Sequence, residues 1–295
     1  MRRHPVILGL CLFVLMGMAF FVAVIALKGL RGGDSLFSFR GKVGVVLLEG
    51  IIGDAGEAVD QIDGFADDDA IRAVVLRIDS PGGGVAASQE IYDAARRLRE
   101  KKRVVVSMGS VAASGGYLIA TAADRIMANP GTITGSISAL MHFANVEELL
   151  RKVGVRSSVV KSGQFKDIGS PTREMTPEER KLIQGIVDDI YDQFVRTVSE
   201  NRRLPLRKIE ELADGRIFSG RQALELGLVD DLGGLQDAIL LSAKLAGIEG
   251  KPAVSYAVRK RSGLWKYLLE GTLSSLSESI GRGAVKPTGI HYLYE

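Results

Sequence analysis

A serine at the junction of a predicted strand and a predicted helix is the first candidate for chemistry. An apolar, β-branched run ends at Ser107, small residues follow, and Ser114 opens a second apolar run with helical spacing. Amides at the start of a helix lack intrahelical partners, so those of Gly115 and Gly116 could bind an oxyanion formed when Ser114 attacks an acyl group. A simple helix N-cap role for Ser114 is the alternative.

A glycine-rich turn, Asp79 to Gly84, also joins a predicted strand to a predicted helix. Its glycines match part of the dinucleotide-binding fingerprint, but the next predicted strand ends in Ser107 and not in the acidic residue that would bind a ribose hydroxyl. The turn fits better as the source of a second amide, from Gly82 or Gly83, that completes an oxyanion hole with Gly115. A tight turn without a ligand is the alternative.

Histidine, the usual base for a serine nucleophile, is scarce in this chain. His4 precedes an apolar segment and His291 lies near the end of the chain, which leaves His142, where a surface or core role is the simpler explanation. The Gly-x-Ser-x-Gly elbow is absent because Ala112 occupies the first glycine position. These observations disfavour an α/β-hydrolase triad.

A lysine can replace histidine as the base if burial lowers its pKa enough to leave a neutral amine. Lys161 and Lys166 follow a predicted strand and are the two candidates. The residues alone do not choose between them, and a solvated surface charge is the ordinary role of a lysine.

Alternating apolar runs and helical patterns must position these residues. We predict an α/β fold of repeated βα units with parallel, buried strands. The predicted strands are Val43–Leu48, Ala73–Ile78, Arg103–Ser107, Arg125–Ala128, Thr132–Ser138 and Ser157–Val160. The longest predicted helix, Thr176–Glu200, begins with a Thr-x-x-Glu capping box and a first-turn proline.

The N-terminal region and the composition limit the class of protein. Val6–Leu27 contains no charged residue and is long enough for a membrane-spanning helix, and Gly29–Gly41 is typical of a tether. The net charge of +3, with basic and acidic residues interleaved, gives no sign of nucleic-acid binding. The single cysteine, Cys11, excludes an intrachain disulfide and a cysteine-based zinc site.

Five ordered motifs resemble those of the signal peptide peptidase A serine-lysine proteases, in their short membrane-anchored form. The motifs are SPGGG (80–84), MGSVAASGGY (108–117), ANPGTITGSI (128–137), SGQFKDIGSP (162–171) and REMTPEER (173–180). The resemblance extends from Lys42 to about Gly250 and implies the Clp-protease and crotonase type of α/β fold. The expected organisation is a short segment 1–5, a transmembrane anchor 6–27, a linker 28–41, a protease domain 42–250 and an extension 251–295.

The resemblance also implies roles for individual residues. Ser114 would be the nucleophile, Lys166 the general base and Lys161 a structural lysine. Ser136 would be an auxiliary serine that orients the base. Gly82 would be the loop donor to the oxyanion and the Gly115 amide the second donor, with no metal or cofactor required. Ser138 stands where such proteases typically have glycine.

By this resemblance the chain is expected to degrade remnant signal peptides and other apolar peptides. It would be a homo-oligomer at the outer face of the cytoplasmic membrane, and the lysine can come from a neighbouring protomer. Three alternatives remain open. They are an NfeD-type protease acting on a stomatin-like partner, a crotonase-like acyl-CoA enzyme and a non-catalytic membrane scaffold.

Overall fold

The computed structural model describes residues 13–21, 41–258 and 291–293, and the chain divides into two compact units at Gly41 and Lys42. Residues 13–21 are helical. None of the helices within the described ranges is both long enough and apolar enough to cross a membrane. The predicted anchor, Val6–Leu27, continues on both sides of residues 13–21 and therefore lies mostly outside the described residues.

The second unit is built around a mostly parallel sheet. Its described strands are β1 (Lys42–Glu49), β2 (Ile71–Ser80), β4 (Arg103–Ala113), β5 (Arg125–Ala128), β6 (Ile133–Gly135), β7 (Ile217–Ser219), β8 (Asp231–Leu232) and β9 (Ala253–Tyr256). The strand order is β7-β6-β4-β2-β1-β9, with β5 paired to β4 and β8, and only the β6–β7 pair is antiparallel. A separate antiparallel pair joins β3 (Gly82–Gly84) to β10 (His291–Leu293).

Helices cover both faces of this sheet, as a parallel sheet with apolar strands requires. The described helices are α1 (Gly56–Asp67), α2 (Val85–Lys101), α3 (Gly115–Ala120), α4 (Glu147–Lys152), α5 (Pro177–Arg202), α6 (Leu206–Leu212), α7 (Gly220–Leu226) and α8 (Leu235–Leu245). Val43 and Val45 of β1 join the apolar cluster that includes Ile239 of α8. Val46 and Leu48 of the same strand join the larger cluster on the opposite face. The mixed α/β architecture predicted from the sequence is confirmed.

One predicted strand is longer in the structure and another predicted strand is absent. β4 does not stop at Ser107 but continues to Ala113, because its first part pairs with β5 and its last part pairs with β6. The extra length carries the chain directly to Ser114. Ser157–Val160 is not a strand but an exposed, irregular segment, and Val160 is fully exposed, so its apolar side chains have no sheet to pack against.

The predicted helix start at Thr176 is confirmed. The Thr176 hydroxyl accepts a hydrogen bond from the Glu179 N–H at 3.2 Å, and the Glu179 side chain accepts one from the Thr176 N–H at 2.9 Å. This reciprocal capping box satisfies two donors that a helix start leaves unpaired. The helix that follows, α5, buries Phe194, Val195 and Val198 in the core.

Candidate functional site

Ser114 lies at the sharp turn between β4 and α3. Its backbone angles, φ +54° and ψ −119°, are rare for a residue with a side chain and cost about 1–3 kcal/mol. The side chain is only 1% exposed, and among the described residues no group forms a hydrogen bond with its Oγ. Ser114 holds the N-cap position but makes no side-chain capping bond, so capping does not explain it. A strained turn presenting a hydroxyl is typical of a nucleophilic serine.

Ser136 follows the neighbouring strand β6 at the same level of the sheet. Ala113 pairs with Gly135, and the Ser114 N–H donates to the Gly135 carbonyl at 2.8 Å. Ser136 is also buried and also has a positive φ, +51°, and its N–H donates to the Arg216 carbonyl at 2.8 Å. The two serines therefore leave the carboxyl ends of adjacent parallel strands, where α/β proteins commonly bind ligands.

The glycine turn that follows β2 lies at the same edge, because Ser80 pairs with Ala112 of β4. The Gly82 N–H donates to the Ser80 Oγ at 3.1 Å, so this amide is already engaged within the turn. The Gly82 carbonyl and the Gly84 N–H both bond to Ile52, which directs the backbone of Gly83 to the opposite side. A Cβ on Gly83 would lie 2.1 Å from the Ile52 carbonyl oxygen, so only glycine fits there.

The free side of this turn receives an extended segment of the chain itself. β10 runs antiparallel to β3, with Tyr292 opposite Gly83 and Leu293 opposite Gly82. Addition of a strand to an exposed edge is a common mode of peptide recognition, in which main-chain hydrogen bonds supply much of the affinity. The edge beside Ser114 thus has the geometry to bind a peptide backbone.

The first turn of α3 is packed firmly against the sheet. A Cβ on Gly116 would lie 3.1 Å from the Ser80 carbonyl oxygen, so the helix start sits close to the end of β2. Tyr117 is fully buried and its hydroxyl donates to the Leu228 carbonyl at 2.9 Å, and burial raises the pKa of this phenol. These contacts fix the Gly115 amide beside Ser114.

Lys166 lies outside the sheet, in an exposed segment of short turns. Its N–H donates to the Gly163 carbonyl at 3.1 Å, and no side-chain partner is found for its Nζ among the described residues. Since Ser114 Oγ has no partner either, the two groups are not hydrogen-bonded within one chain. The structure therefore places Ser114, Ser136 and the glycine turn at one edge of the sheet, and it shows no hydrogen bond between Ser114 and Lys166.

Unlike Lys166, Lys161 forms side-chain contacts with neighbouring groups. Its Nζ donates to the Gln164 carbonyl at 2.8 Å and forms an ion pair with Asp167. The prediction of a structural role for Lys161 agrees with these contacts. His142, the histidine considered as a base, is exposed. Within the ranges described, His, Cys, Asp and Glu form no group of three or more that could hold a metal ion.

An ion-pair network not predicted from the sequence includes Asp167, the residue that follows Lys166. Arg173 binds Asp167 through Nε at 2.9 Å and Nη2 at 2.8 Å, and it binds Glu179 through Nη1 at 2.8 Å. Hydrogen bonds from Arg173, followed by those from Lys161, lower the pKa of Asp167, and the bond from Arg173 lowers that of Glu179 to about 2. The motifs around residues 162–180 indicated these positions, but only the tertiary contacts show their partners.

The chain matches two family models of known proteases. The family model described as peptidase family S49 matches residues 96–249, and the Clp protease model matches residues 45–133. The two matches together include the glycine turn, Ser114, Ser136 and Lys166.

Three relatives illustrate the similarity. A protein named as a protease from Synechocystis sp. is 54% identical over 177 residues, 60% of this chain and 64% of the relative. One named as a protease from Methanocaldococcus jannaschii is 36% identical over 230 residues, 78% of this chain and 72% of the relative. One carrying the name signal peptide peptidase SppA, from Enterococcus faecium, is 36% identical over 212 residues, 67% of this chain and 62% of the relative. The chain therefore belongs to peptidase family S49, a family of serine proteases.

Proposed function

We propose that this serine protease is an endopeptidase in which Ser114 attacks the peptide carbonyl and Lys166, as a neutral amine, accepts the serine proton. The observation that carries the proposal is the buried Ser114 Oγ, held without a partner on a strained turn. Leaving a buried hydroxyl unpaired costs about 1–3 kcal/mol, so the arrangement serves chemistry better than stability. The lysine then protonates the leaving amine, and water resolves the acyl-enzyme.

The oxyanion of the tetrahedral intermediate would be bound by the amides of Gly83 and Gly115. Gly115 opens α3 and has no intrahelical acceptor. We propose Gly83 in place of Gly82, the loop donor expected from the resemblance, because the Gly82 N–H already donates to the Ser80 Oγ within the turn. The Gly83 backbone faces the edge that β10 occupies, so a bound substrate would displace β10 to reach this amide. Preorganised donors of this kind are each worth about 10²–10³-fold in rate.

Ser136 would orient the base. Its hydroxyl leaves the strand next to that of Ser114, so a lysine amine entering between the two serines can bond to both. The exposure of Lys166 and the lack of a hydrogen bond between it and Ser114 of the same chain support a lysine supplied by a neighbouring copy in a homo-oligomer. Exposed apolar residues near this segment, such as Leu149, Val153 and Val160, support a protein contact there.

The substrates we propose are extended apolar peptides, including remnant signal peptides. The pairing of β10 with β3 supports binding of an extended backbone at the edge beside Ser114. The name of the Enterococcus relative supports the signal-peptide class. An anchor at Val6–Leu27, with the catalytic unit at the outer face of the cytoplasmic membrane, would place the protease where such peptides accumulate.

The test is peptide hydrolysis by the full-length chain in detergent. We expect Ser114→Ala and Lys166→Ala each to reduce the rate by about a thousandfold or more, as for other members of a catalytic dyad or triad. Gel filtration should show an oligomer, and mixing the two inactive variants should restore activity if the lysine comes from another copy. Unchanged cleavage by either single variant would refute the dyad.

A further inference from the structure

The segment that carries Lys166 has little regular structure to hold it. Its hydrogen bonds are local turns, from the Lys166 N–H to Gly163, from Ile168 to Phe165 and from Ser170 to Asp167. Other links, such as the Val146 N–H to the Pro171 carbonyl, lead only to the neighbouring exposed segment. The position of Lys166 relative to the core therefore depends on side-chain contacts.

Arg173 supplies the strongest of these contacts. It bonds to both carboxylate oxygens of Asp167, the residue next to Lys166, and also to the Asp167 carbonyl at 3.2 Å. The same guanidinium bonds to Glu179, whose side chain is only 3% exposed and closes the capping box of α5. A guanidinium fork of this type fixes geometry as well as charge. The turn carrying Lys166 is thus tied to a helix whose other end is embedded in the core.

The network also decides which charges lie next to Lys166. Two cations, Lys161 and Arg173, balance two carboxylates, Asp167 and Glu179. An uncompensated Asp167 beside Lys166 would favour the protonated, inactive form of the amine. The Asp167 carboxylate forms ion pairs with Lys161 and Arg173, and Lys166 has no carboxylate partner among the described residues.

We propose that Arg173 is a positioning residue for Lys166: it ties the Lys166 turn to the first turn of α5 and neutralises the adjacent carboxylate of Asp167. This inference rests on the proposed role of Lys166 as the base. It assigns no contact between Arg173 and the substrate.

The experiment measures kcat/KM for a peptide against pH with the full-length chain in detergent. We expect Arg173→Gln to lower kcat/KM at neutral pH about tenfold or more. It should also shift the rising limb, the part of the profile in which kcat/KM increases with pH, to higher pH. The reason is that Asp167, paired with Lys161 alone, is less fully neutralised and stabilises the Lys166 ammonium. Arg173→Lys keeps the charge without the fork, so it should keep the limb near its original pH while kcat/KM stays low. The double variant Asp167→Asn/Arg173→Gln also removes the negative charge of the Asp167 carboxylate, so it should return the rising limb to its original pH.

Arg207→Gln is the matched control, since Arg207 forms an exposed pair with Glu211 in α6, away from the Lys166 segment, and should behave as the parent. A purely structural Arg173 would lower the amount of active enzyme without moving the limb, and that result, or kcat/KM within about twofold of the parent, would overturn the inference. If Ser114→Ala or Lys166→Ala cleaves as fast as the parent, it is the proposed function that fails. If both variants are inactive and Arg173→Gln matches the parent, only the positioning role fails.

Discussion

Ser114 and Ser136 emerge from adjacent parallel strands at one level, joined by a 2.8 Å hydrogen bond from the Ser114 N–H to the carbonyl of Gly135. Both have positive φ, which among the other described residues with side chains is shared only by Arg203. The positive φ of Arg203 is explained by its position as the left-handed C-cap of α5. Neither serine is a helix C-cap, and both are buried residues that directly follow the paired ends of β4 and β6.

Replacing Ser114 with alanine should remove activity without lowering stability. The substitution deletes a buried oxygen that has no partner, so the thermal unfolding temperature should stay the same or rise. Ser242→Ala is the matched control, since the buried Ser242 hydroxyl donates to the Ile239 carbonyl at 2.9 Å and its loss should destabilise by about 1 kcal/mol. Thermal unfolding followed by circular dichroism measures both. A Ser114→Ala variant that melts several degrees lower would indicate a missed partner.

Alanine substitutions should distinguish the proposed base, Lys166, from the structural lysine, Lys161. Lys166→Ala should abolish hydrolysis and leave the unfolding temperature unchanged, because the exposed side chain has no described partner. Lys161→Ala should keep measurable activity and melt slightly lower, because it loses the ion pair with Asp167. Rates and melting curves of both variants, measured side by side, decide the assignment. The opposite pattern of rates would make Lys161 the base.

Gly83→Ala should inactivate the protein, since the added methyl would lie 2.1 Å from the Ile52 carbonyl oxygen. Shifting that backbone displaces the proposed oxyanion donor, and loss of one such donor costs about 10²–10³-fold in kcat. Gly84→Ala is the control because its nearest neighbour would be 3.6 Å away and its φ is −59°. We expect near-normal kcat for Gly84→Ala, and equal losses in the two variants would argue against the Gly83 amide.

Shortening the chain by residues 291–295 should strengthen peptide binding. β10 pairs with the edge of β3 that does not face Ile52, so a peptide that adds to this edge must displace β10. Deletion should lower KM with little change in kcat, as expected when only a competing segment is removed. Steady-state hydrolysis of one peptide by both chains measures this. An unchanged or higher KM would show that peptides bind elsewhere.

Acid should weaken the network around Arg173 in a defined range. The pKa of Glu179 is about 2 in the folded chain against an ordinary value of 4.5, because Arg173 hydrogen-bonds to its carboxylate. A carboxyl with a lowered pKa stabilises the fold above pH 4.5, and this contribution disappears as the pH falls from 4.5 towards 2. Glu179→Gln should therefore lower the unfolding temperature at neutral pH and much less near pH 2. The exposed Glu211→Gln should show no such difference, and a constant offset for Glu179→Gln would contradict the prediction.

The sequence by itself determined the βα alternation, the helix start at Thr176 and the serine at a strand-to-helix junction, because these depend on local periodicity and capping. It could not determine the length of β4, since residues 108–113 extend the strand through pairing with β6 and with the end of β2. Nor could it show that the Gly82 amide is taken by Ser80, that Lys161 is paired with Asp167, or that Arg173 joins Asp167 to Glu179. Each of these features is a contact between groups that only folding brings within hydrogen-bonding distance. A pattern of residue types along the sequence gives no information about such distances.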